Sequence, residues 1–391
     1  MTVRSARAGF TLIELMIATI AGAFAVAGVY YLNGVSSRMF GEQMRVSETQ
    51  MSLRGALEQV RRDFSRAGYL AVPNSKVLPG CDGTPGSLDV SATDVRSIAI
   101  TRGGSEVGIK TLLETPAINK TRADSVILTG NFATADAYLA NPTTSSSAML
   151  YFQTDGESFR RSFFTPTADH TSATFDQARF TSVFRAGRMV RVENEGRTFF
   201  RVIDGSTTVG GSAAVTLTQA LPACFVPTRW TAVSPVMRVR YALEDGKSED
   251  LKRLTALSAA VGSARPILVR REVALDGSLV ADTARVVLDY AVEFSIDPIV
   301  WDESKKEFSY ALSSAERDAA NLNPETLASL VVTLSSRSQD ADPNLPTLAR
   351  TTLGDDKILS SPLLTFRVVP PDVGLNARVR TARAEIFLQN H

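Results

Sequence analysis

Among 391 residues there are two histidines and two cysteines, and their positions exclude several kinds of chemistry. His391 is the final residue, and His170 sits in a Thr/Ser/Asp-rich stretch with no second ligand at metal-binding spacing. No C-x-x-C is present, so neither a zinc knuckle nor a thioredoxin-like dithiol is supported. A G-x-S-x-G elbow is also missing. Gly246-Lys247-Ser248 resembles the end of a phosphate loop, but Tyr241 stands where its first glycine is required. Asp340, Asp342 and Asn344 alternate like the opening of a calcium loop, yet Leu345 replaces the turn glycine and Thr351 the closing glutamate. Glu244, Asp245, Glu249 and Asp250 read as an acidic hairpin edge without a ligand. The formal net charge is +1, which creates no global field for nucleic acid or acidic substrates. Arginines cluster at Arg61, Arg62 and Arg66 and at Arg378, Arg380 and Arg383. Without interleaved aromatics they read as solvated faces and intersubunit ion pairs, so no nucleic acid partner is expected. No catalytic residue, cofactor or metal is expected either.

Charge is scarce in one further place. From Phe10 to Leu32 the only charged residue is Glu14, and the run is long enough to cross a bilayer, which takes about 20 apolar residues. Before it, Met1 to Gly9 carries Arg4 and Arg7 and no acid. A carboxylate costs roughly 2.5–3.5 kcal/mol at the bilayer centre and less near an end, so Glu14 calls for a partner. An ordinary secretory signal ends its apolar part at a small-residue cleavage site, whereas here the small residue, Gly9, precedes the apolar part. Cleavage at Gly9 would remove the basic leader and leave the helix attached, with Phe10 as the new amino terminus. Phe10 precedes Glu14 by four residues, about one helical turn, so ammonium and carboxylate share a face. The ammonium of one subunit could equally pair with the carboxylate of a neighbour.

The junction Gly9-Phe10-Thr11-Leu12-Ile13-Glu14-Leu15-Met16 resembles the class III signal of type IV pilins and type II secretion pseudopilins. That resemblance implies cleavage after Gly9 by the prepilin peptidase, N-methylation of Phe10, and Glu14 as the glutamate used in assembly. The competing reading is a plain signal anchor holding a periplasmic domain, which gives no reason for glycine, phenylalanine and glutamate at this spacing.

Beyond the span, Asn33 and Gly34 are expected to loosen the helix, and the helical pattern resumes at Arg38. Leu53, Leu57, Val60, Phe64 and Ala67 recur at three- and four-residue spacing, one stripe of a helix that Gly68 ends. Glu58 precedes Arg62 by four, the favourable order for a helical ion pair. From there the pattern is extended. Strand-like runs are expected at 95–101, 124–129, 149–153, 189–193, 198–203 and 214–218, then at 236–243, 267–275, 286–296, 330–335, 363–369 and 379–388. Glu195-Gly196 reads as a hairpin turn, and 313–327 and 339–345 as surface insertions. The fold class expected is α+β: a long amino-terminal transmembrane and stem helix packed against a large β-rich globular head. The segments are a leader at 1–9, a transmembrane and assembly helix at 10–34, an amphipathic stem at 35–68 and a periplasmic head at 69–391.

Arg62-Asp63-Phe64-Ser65-Arg66-Ala67-Gly68-Tyr69, followed by Cys81, is similar to the "D-x-R-x-A-G-Y … C" signature of PilW-type minor pilins, although here Arg66 directly precedes Ala67. Ala123 to Leu128, Gly187 to Val192, Tyr241 to Leu243 with Leu251 to Leu254, Val286 to Asp297 and Thr381 to Asn390 resemble later strands of that family in the same order. Arg188 replaces its usual aspartate and Gln389 its usual arginine, while 101–121 and 301–326 read as additions. The resemblance implies a subunit of a tip priming complex with other minor pilins, the major pilin and a tip adhesin. It would be stored in the inner membrane with its head in the periplasm and later carried into an extracellular pilus. The alternatives are a J-type pseudopilin of type II secretion and a membrane-anchored enzyme or receptor. In an exported head Cys81 and Cys224 most simply form one disulfide, the other option being two separate buried thiols.

Overall fold

The computed structural model describes residues 11–71, 96–104, 119, 121–142, 148–166, 173–194, 197–209, 211–222, 225, 231–246, 251, 266–310, 326–339, 345–346, 363–368 and 376–388. The chain falls into two compact units, Met1–Met51 and Ser52–His391.

The first unit is helical. Helix α1 (Leu12–Ser65) begins in it, and one window of 18 residues reaches a mean hydropathy of 2.1, long and apolar enough to cross a membrane. Leu12, Ile13, Met16, Phe24 and Tyr30 are all exposed, as a lipid-facing helix requires. The helix runs without a break through Asn33 and Gly34, where the sequence predicts loosening. A glycine inside a helix costs only about 1 kcal/mol relative to alanine and leaves the hydrogen-bond ladder intact.

The second unit opens with the last turns of α1. The predicted stripe is present: Leu53, Val60, Phe64 and Ala67 are buried, with Ala56 also buried and Leu57 at the edge. They pack on Val126, Leu128, Val239, Tyr241, Phe294, Leu330 and Val332, side chains of the strands described next. Burying this many aliphatic and aromatic side chains, each worth about 1.5–3 kcal/mol, is what holds helix to sheet.

In chain order the strands and short helices begin with β1 (Ile98–Thr101), β2 (Ser125–Gly130), β3 (Tyr138–Pro142), β4 (Met149–Phe152), α2 (Glu157–Phe163), β5 (Phe164–Pro166), β6 (Ala173–Phe175) and α3 (Gln177–Val183). Next come β7 (Met189–Asn194), β8 (Arg197–Val209), β9 (Ser212–Leu217), β10 (Thr231–Asp245), β11 (Pro266–Glu272) and β12 (Arg285–Leu288). The last are β13 (Ala291–Asp302), β14 (Glu307–Tyr310), β15 (Leu327–Arg337), β16 (Thr365–Arg367) and β17 (Asn376–Phe387). Every described strand pair in the named strands is antiparallel, and among the described residues there are a large sheet, a second sheet ordered β14-β13-β15-β17-β16 and the small β5-β6 pair.

Strand β10 is the spine of the large sheet. Its first half pairs with β3 and β7, and its second half with β2 and β11, so one strand serves two separate cores. One is the helix-facing core above. The other surrounds Tyr138 with Phe152 of β4, Phe159 and Phe163 of α2, Phe180 of α3 and Phe184 just after it, the helices lying against the sheet. The second sheet is tied to the first by residues 122–124: Asp124 donates its N–H to Phe294 O over 2.9 Å and Phe294 donates back to Arg122 O over 3.0 Å. The side chains reinforce this bridge, with Arg122 2.6 Å from Asp124 and 2.7 Å from Asp297.

Several expectations need correction. The run 286–296 is two strands, because Tyr290 adopts a left-handed φ of 50° and its N–H is taken by the Asp289 side chain, which makes a turn. Strands β3, β5, β6 and β14 and helices α2 and α3 were not foreseen; they are short, and their apolar residues find partners only across the chain. Within 301–326, read from the sequence as an addition to the family pattern, residues 301–302 end β13 and 307–310 form β14, which does not bear on that reading. Strands β7 and β8 do pair with Asn194 opposite Arg197, as a two-residue turn demands, while Glu195 and Gly196 lie outside the described residues.

Candidate functional site at the amino terminus and stem

Gly9 and Phe10 lie outside the described residues, and so do Cys81 and Cys224. Glu14 is described, and its surroundings show a feature that the sequence reading missed. Thr11 is the residue before α1, and it donates both its backbone N–H (3.0 Å) and its hydroxyl (2.9 Å) to Glu14 Oε2. Glu14 N–H in turn donates to Thr11 Oγ1 over 3.3 Å. This reciprocal arrangement is a capping box, Thr-x-x-Glu, which satisfies donors that a helix start leaves unpaired. Its pattern was readable as Thr11-Leu12-Ile13-Glu14 ahead of an apolar run. The box turns the carboxylate back toward the start of the helix, where the helix dipole also favours negative charge. A cationic group arriving at that end therefore meets an oriented carboxylate.

At the other end of α1 the Asp63 to Tyr69 signature becomes a docking device. Asp63 is buried and accepts hydrogen bonds from the Tyr241 hydroxyl (2.7 Å) and Arg270 Nε (2.6 Å). Burial, and next the adjacent Asp63 carboxylate, push the Tyr241 phenol far above its usual value. Burial acts to lower Arg270, but Asp63 more than offsets it and holds the guanidinium above its ordinary value. Arg66 donates Nη2 to Asn131 O (2.7 Å) and Thr134 O (2.8 Å), so its one-residue shift from the family spacing still leaves it anchored in the head. Gly68 has φ +77° and donates its N–H to Thr129 O over 2.8 Å, closing the helix as only glycine does without strain. On the facing strand a Cβ at Gly130 would stand 2.8 Å from Arg66 O. Tyr69 donates its hydroxyl to Ala135 O and accepts Asn131 N–H. Expected ion pair Glu58–Arg62 is corrected: Glu58 lies 3.9 Å from Arg61, on an exposed face where such a pair contributes little.

Arg188, the departure from the family aspartate, holds Glu272 through Nε (2.5 Å) and Nη2 (2.7 Å) and reaches Val183 O through Nη1 (2.8 Å). It ties β7 to β11 and to the end of α3. A cleft of about 90 Å³ beside it is lined by Arg185, Arg188, Arg238 and Glu272. Two of these arginines are committed to structure, Arg188 as above and Arg238 to Ala274 O and Leu275 O, each 3.1 Å away, while Arg185 is exposed.

The acidic edge resolves differently from expectation. Glu244 is buried and forms a two-oxygen contact with Arg271, so it is a core ion pair rather than an exposed acid. Glu249, Asp250, Asp340, Asp342, Asn344, His170 and His391 lie outside the described residues. Among the described residues, no group of three or more His, Cys, Asp or Glu side chains is placed to hold a metal ion. Arg378 and Arg383 are exposed on β17, with Arg380 partly so.

Residues 4–30 match the family described as the prokaryotic N-terminal methylation motif. No curated protein and no solved structure shows a significant match to the chain. The methylation motif, the single long amino-terminal helix and the β-rich domain it packs against are together consistent with the type IV pilin and pseudopilin superfamily, and the helix supports single-pass anchoring in a membrane.

Proposed function

We propose that this chain is a PilW-type minor pilin, a non-enzymatic subunit of a type IV pilus assembly machine. The observation that carries this reading is the methylation motif at residues 4–30, with Glu14 oriented at the start of a membrane-length helix. The docking of Asp63, Arg66 and Gly68 into the head gives the family signature a physical role and favours the minor-pilin assignment.

On this reading the prepilin peptidase cuts after Gly9 and Phe10 becomes the methylated amino terminus. The leader is 1–9, the assembly helix 10–34, the stem 35–68 and the head 69–391, held in the periplasm by the inner membrane until assembly. The Phe10 ammonium of a neighbouring subunit then neutralises Glu14, which lowers the cost of a carboxylate in an apolar filament core and sets axial register. The partners are other minor pilins, the major pilin and a tip adhesin, in a complex at the extracellular tip. Cys81 and Cys224 close one disulfide in the exported head.

The test is the intact mass of the protein recovered from membranes and from sheared filaments. Loss of Met1 to Gly9 with one added methyl group is expected, and loss of two hydrogens for the disulfide. A leader retained in filament-borne protein would overturn the reading. Secretion defects without pilus defects on deletion would assign the chain to the J-type pseudopilins instead.

A further inference from the structure

The turn that follows α3 faces the hairpin that follows β11, and the cleft of about 90 Å³ beside Arg188 lies between them. Arg188 donates its N–H to Arg185 O over 3.2 Å, across Ala186 and Gly187, whose φ of +82° the tight turn needs. Opposite, Ala274 N–H donates to Ser278 O over 2.9 Å and closes the hairpin. Arg185, Arg188 and Arg238 line the cleft against one acid, Glu272. Glu272 is already engaged through both oxygens by Arg188, at 2.5 and 2.7 Å. Arg238 is held by the carbonyls of Ala274 and Leu275, which fix its guanidinium in place but cancel none of its charge. Asp276 lies near enough to feel that charge, yet its Oδ1 accepts the N–H (2.9 Å) and hydroxyl (2.6 Å) of Ser278. Arg185 stands exposed at the rim, and among the described residues its guanidinium has no hydrogen-bonding or ionic partner. Met189, Val236, Leu275 and Val280 supply an apolar wall.

We infer that this cleft binds a carboxylate carried on a short apolar stem, with Arg185 closing on it from the rim. Size excludes larger ligands. At about 30 Å³ per water the cleft holds roughly three waters, the bulk of one carboxylate group, whereas small-molecule and cofactor sites run to about 300–1,000 Å³. Charge sets the sign: three guanidiniums against one carboxylate leave an excess of two positive charges in the lining, in a chain whose total is +1. Walls that exclude part of the water strengthen that attraction relative to open solvent. Guanidinium selects carboxylate, since its planar fork donates two parallel N–H bonds to the two oxygens. The apolar wall then favours a stem of methylene groups over a bare inorganic anion. Such a carboxylate comes from an acidic side chain or chain end of another polypeptide, or from a free short-chain acid. The site stands apart from Glu14 and does not depend on the pilin reading.

Ligand-observed NMR on the full-length protein in detergent tests it, with butyrate as the probe and n-butylamine, inorganic phosphate and protein-free micelles as comparisons. Butyrate signals should broaden with the protein, and n-butylamine signals should not. Arg185→Gln should weaken butyrate binding about tenfold or more, because a charge-assisted fork is lost, and Arg185→Lys should fall between that variant and wild type. Since Arg185 is exposed, the melting temperatures of both variants without ligand should match wild type. Phosphate that binds as tightly as butyrate overturns the carboxylate assignment. Butyrate binding that is absent, or unchanged in Arg185→Gln, overturns the site. A benzophenone side chain at position 186, irradiated in native membranes, separates the two sources. An adduct with another polypeptide that added butyrate suppresses assigns the carboxylate to that polypeptide, and butyrate binding without such an adduct assigns it to a free acid.

Discussion

The Tyr241 hydroxyl on strand β10 donates to the Asp63 carboxylate on α1 over 2.7 Å, joining residues 178 positions apart inside the core. Arg270 completes the group from the neighbouring strand, with Nε 2.6 Å from the same carboxylate oxygen. We predict that Tyr241→Phe costs about 1–3 kcal/mol, the penalty for leaving a buried acceptor one bond short. Asp63→Ala should cost more, about 3–5 kcal/mol, because it strands a largely buried guanidinium. Urea midpoints of the detergent-solubilised chain measure both, and equal losses for the two variants would contradict this ranking.

The same phenol makes a pH prediction. Its folded-state value is raised far above the unfolded value near 10, so the folded chain keeps this proton when the unfolded chain has released it. The contribution is fully present below about pH 10 and declines as pH rises beyond it. Thermal melts from pH 8 to 11 should fall more steeply for wild type than for Tyr241→Phe, and parallel curves would contradict the assignment.

Glycine is required at two facing places for different reasons. Gly68→Ala should lose about 1 kcal/mol because φ +77° is a left-handed conformation that alanine resists. Gly130→Ala should lose about 1–3 kcal/mol because the new methyl would sit 2.8 Å from the Arg66 carbonyl, a backbone atom that moves only with the helix end. Limited proteolysis at the stem end would show whether docking loosens. Unchanged cleavage in Gly130→Ala would argue against tight packing there.

Arg188 and Glu272 should behave as one unit. Alanine at either position leaves the other charge part-buried and unmatched, and the double substitution should recover about 0.5–3 kcal/mol of the summed loss. Strict additivity in a double-mutant cycle would remove this pair from the account of how Arg188 replaces the family aspartate.

Thr11 should prove exchangeable with serine but not with valine. Thr11→Val removes the hydroxyl that links helix start and Glu14, at a cost of about 0.5–2 kcal/mol in the first turn. Amide exchange at Leu12 to Leu15 should accelerate in Thr11→Val and stay near wild type in Thr11→Ser. Equal exchange in both would mean that the capping box contributes nothing.

Much of this molecule was legible one residue at a time. A carboxylate isolated in an apolar run, a glycine ahead of it rather than behind it, and a stripe from Leu53 to Ala67 are local patterns. Each follows from the cost of charge in hydrocarbon or from the 3.6-residue period. The strand positions followed from alternation and turn residues, and they failed where runs were short, as at Tyr138 to Pro142, or where one aspartate made a turn, as at Asp289. What sequence alone determined, then, was the anchor, the stem and the β-rich class of the head. Only the tertiary structure decided that β10 serves two cores, that Glu244 is a buried ion pair, that Arg188 found Glu272, and that Asp63 is held by Tyr241 and Arg270. The physical reason is range: helical period and hydrophobicity act between near neighbours, whereas a buried charge is stable only beside a partner that the folded chain brings from far along its length.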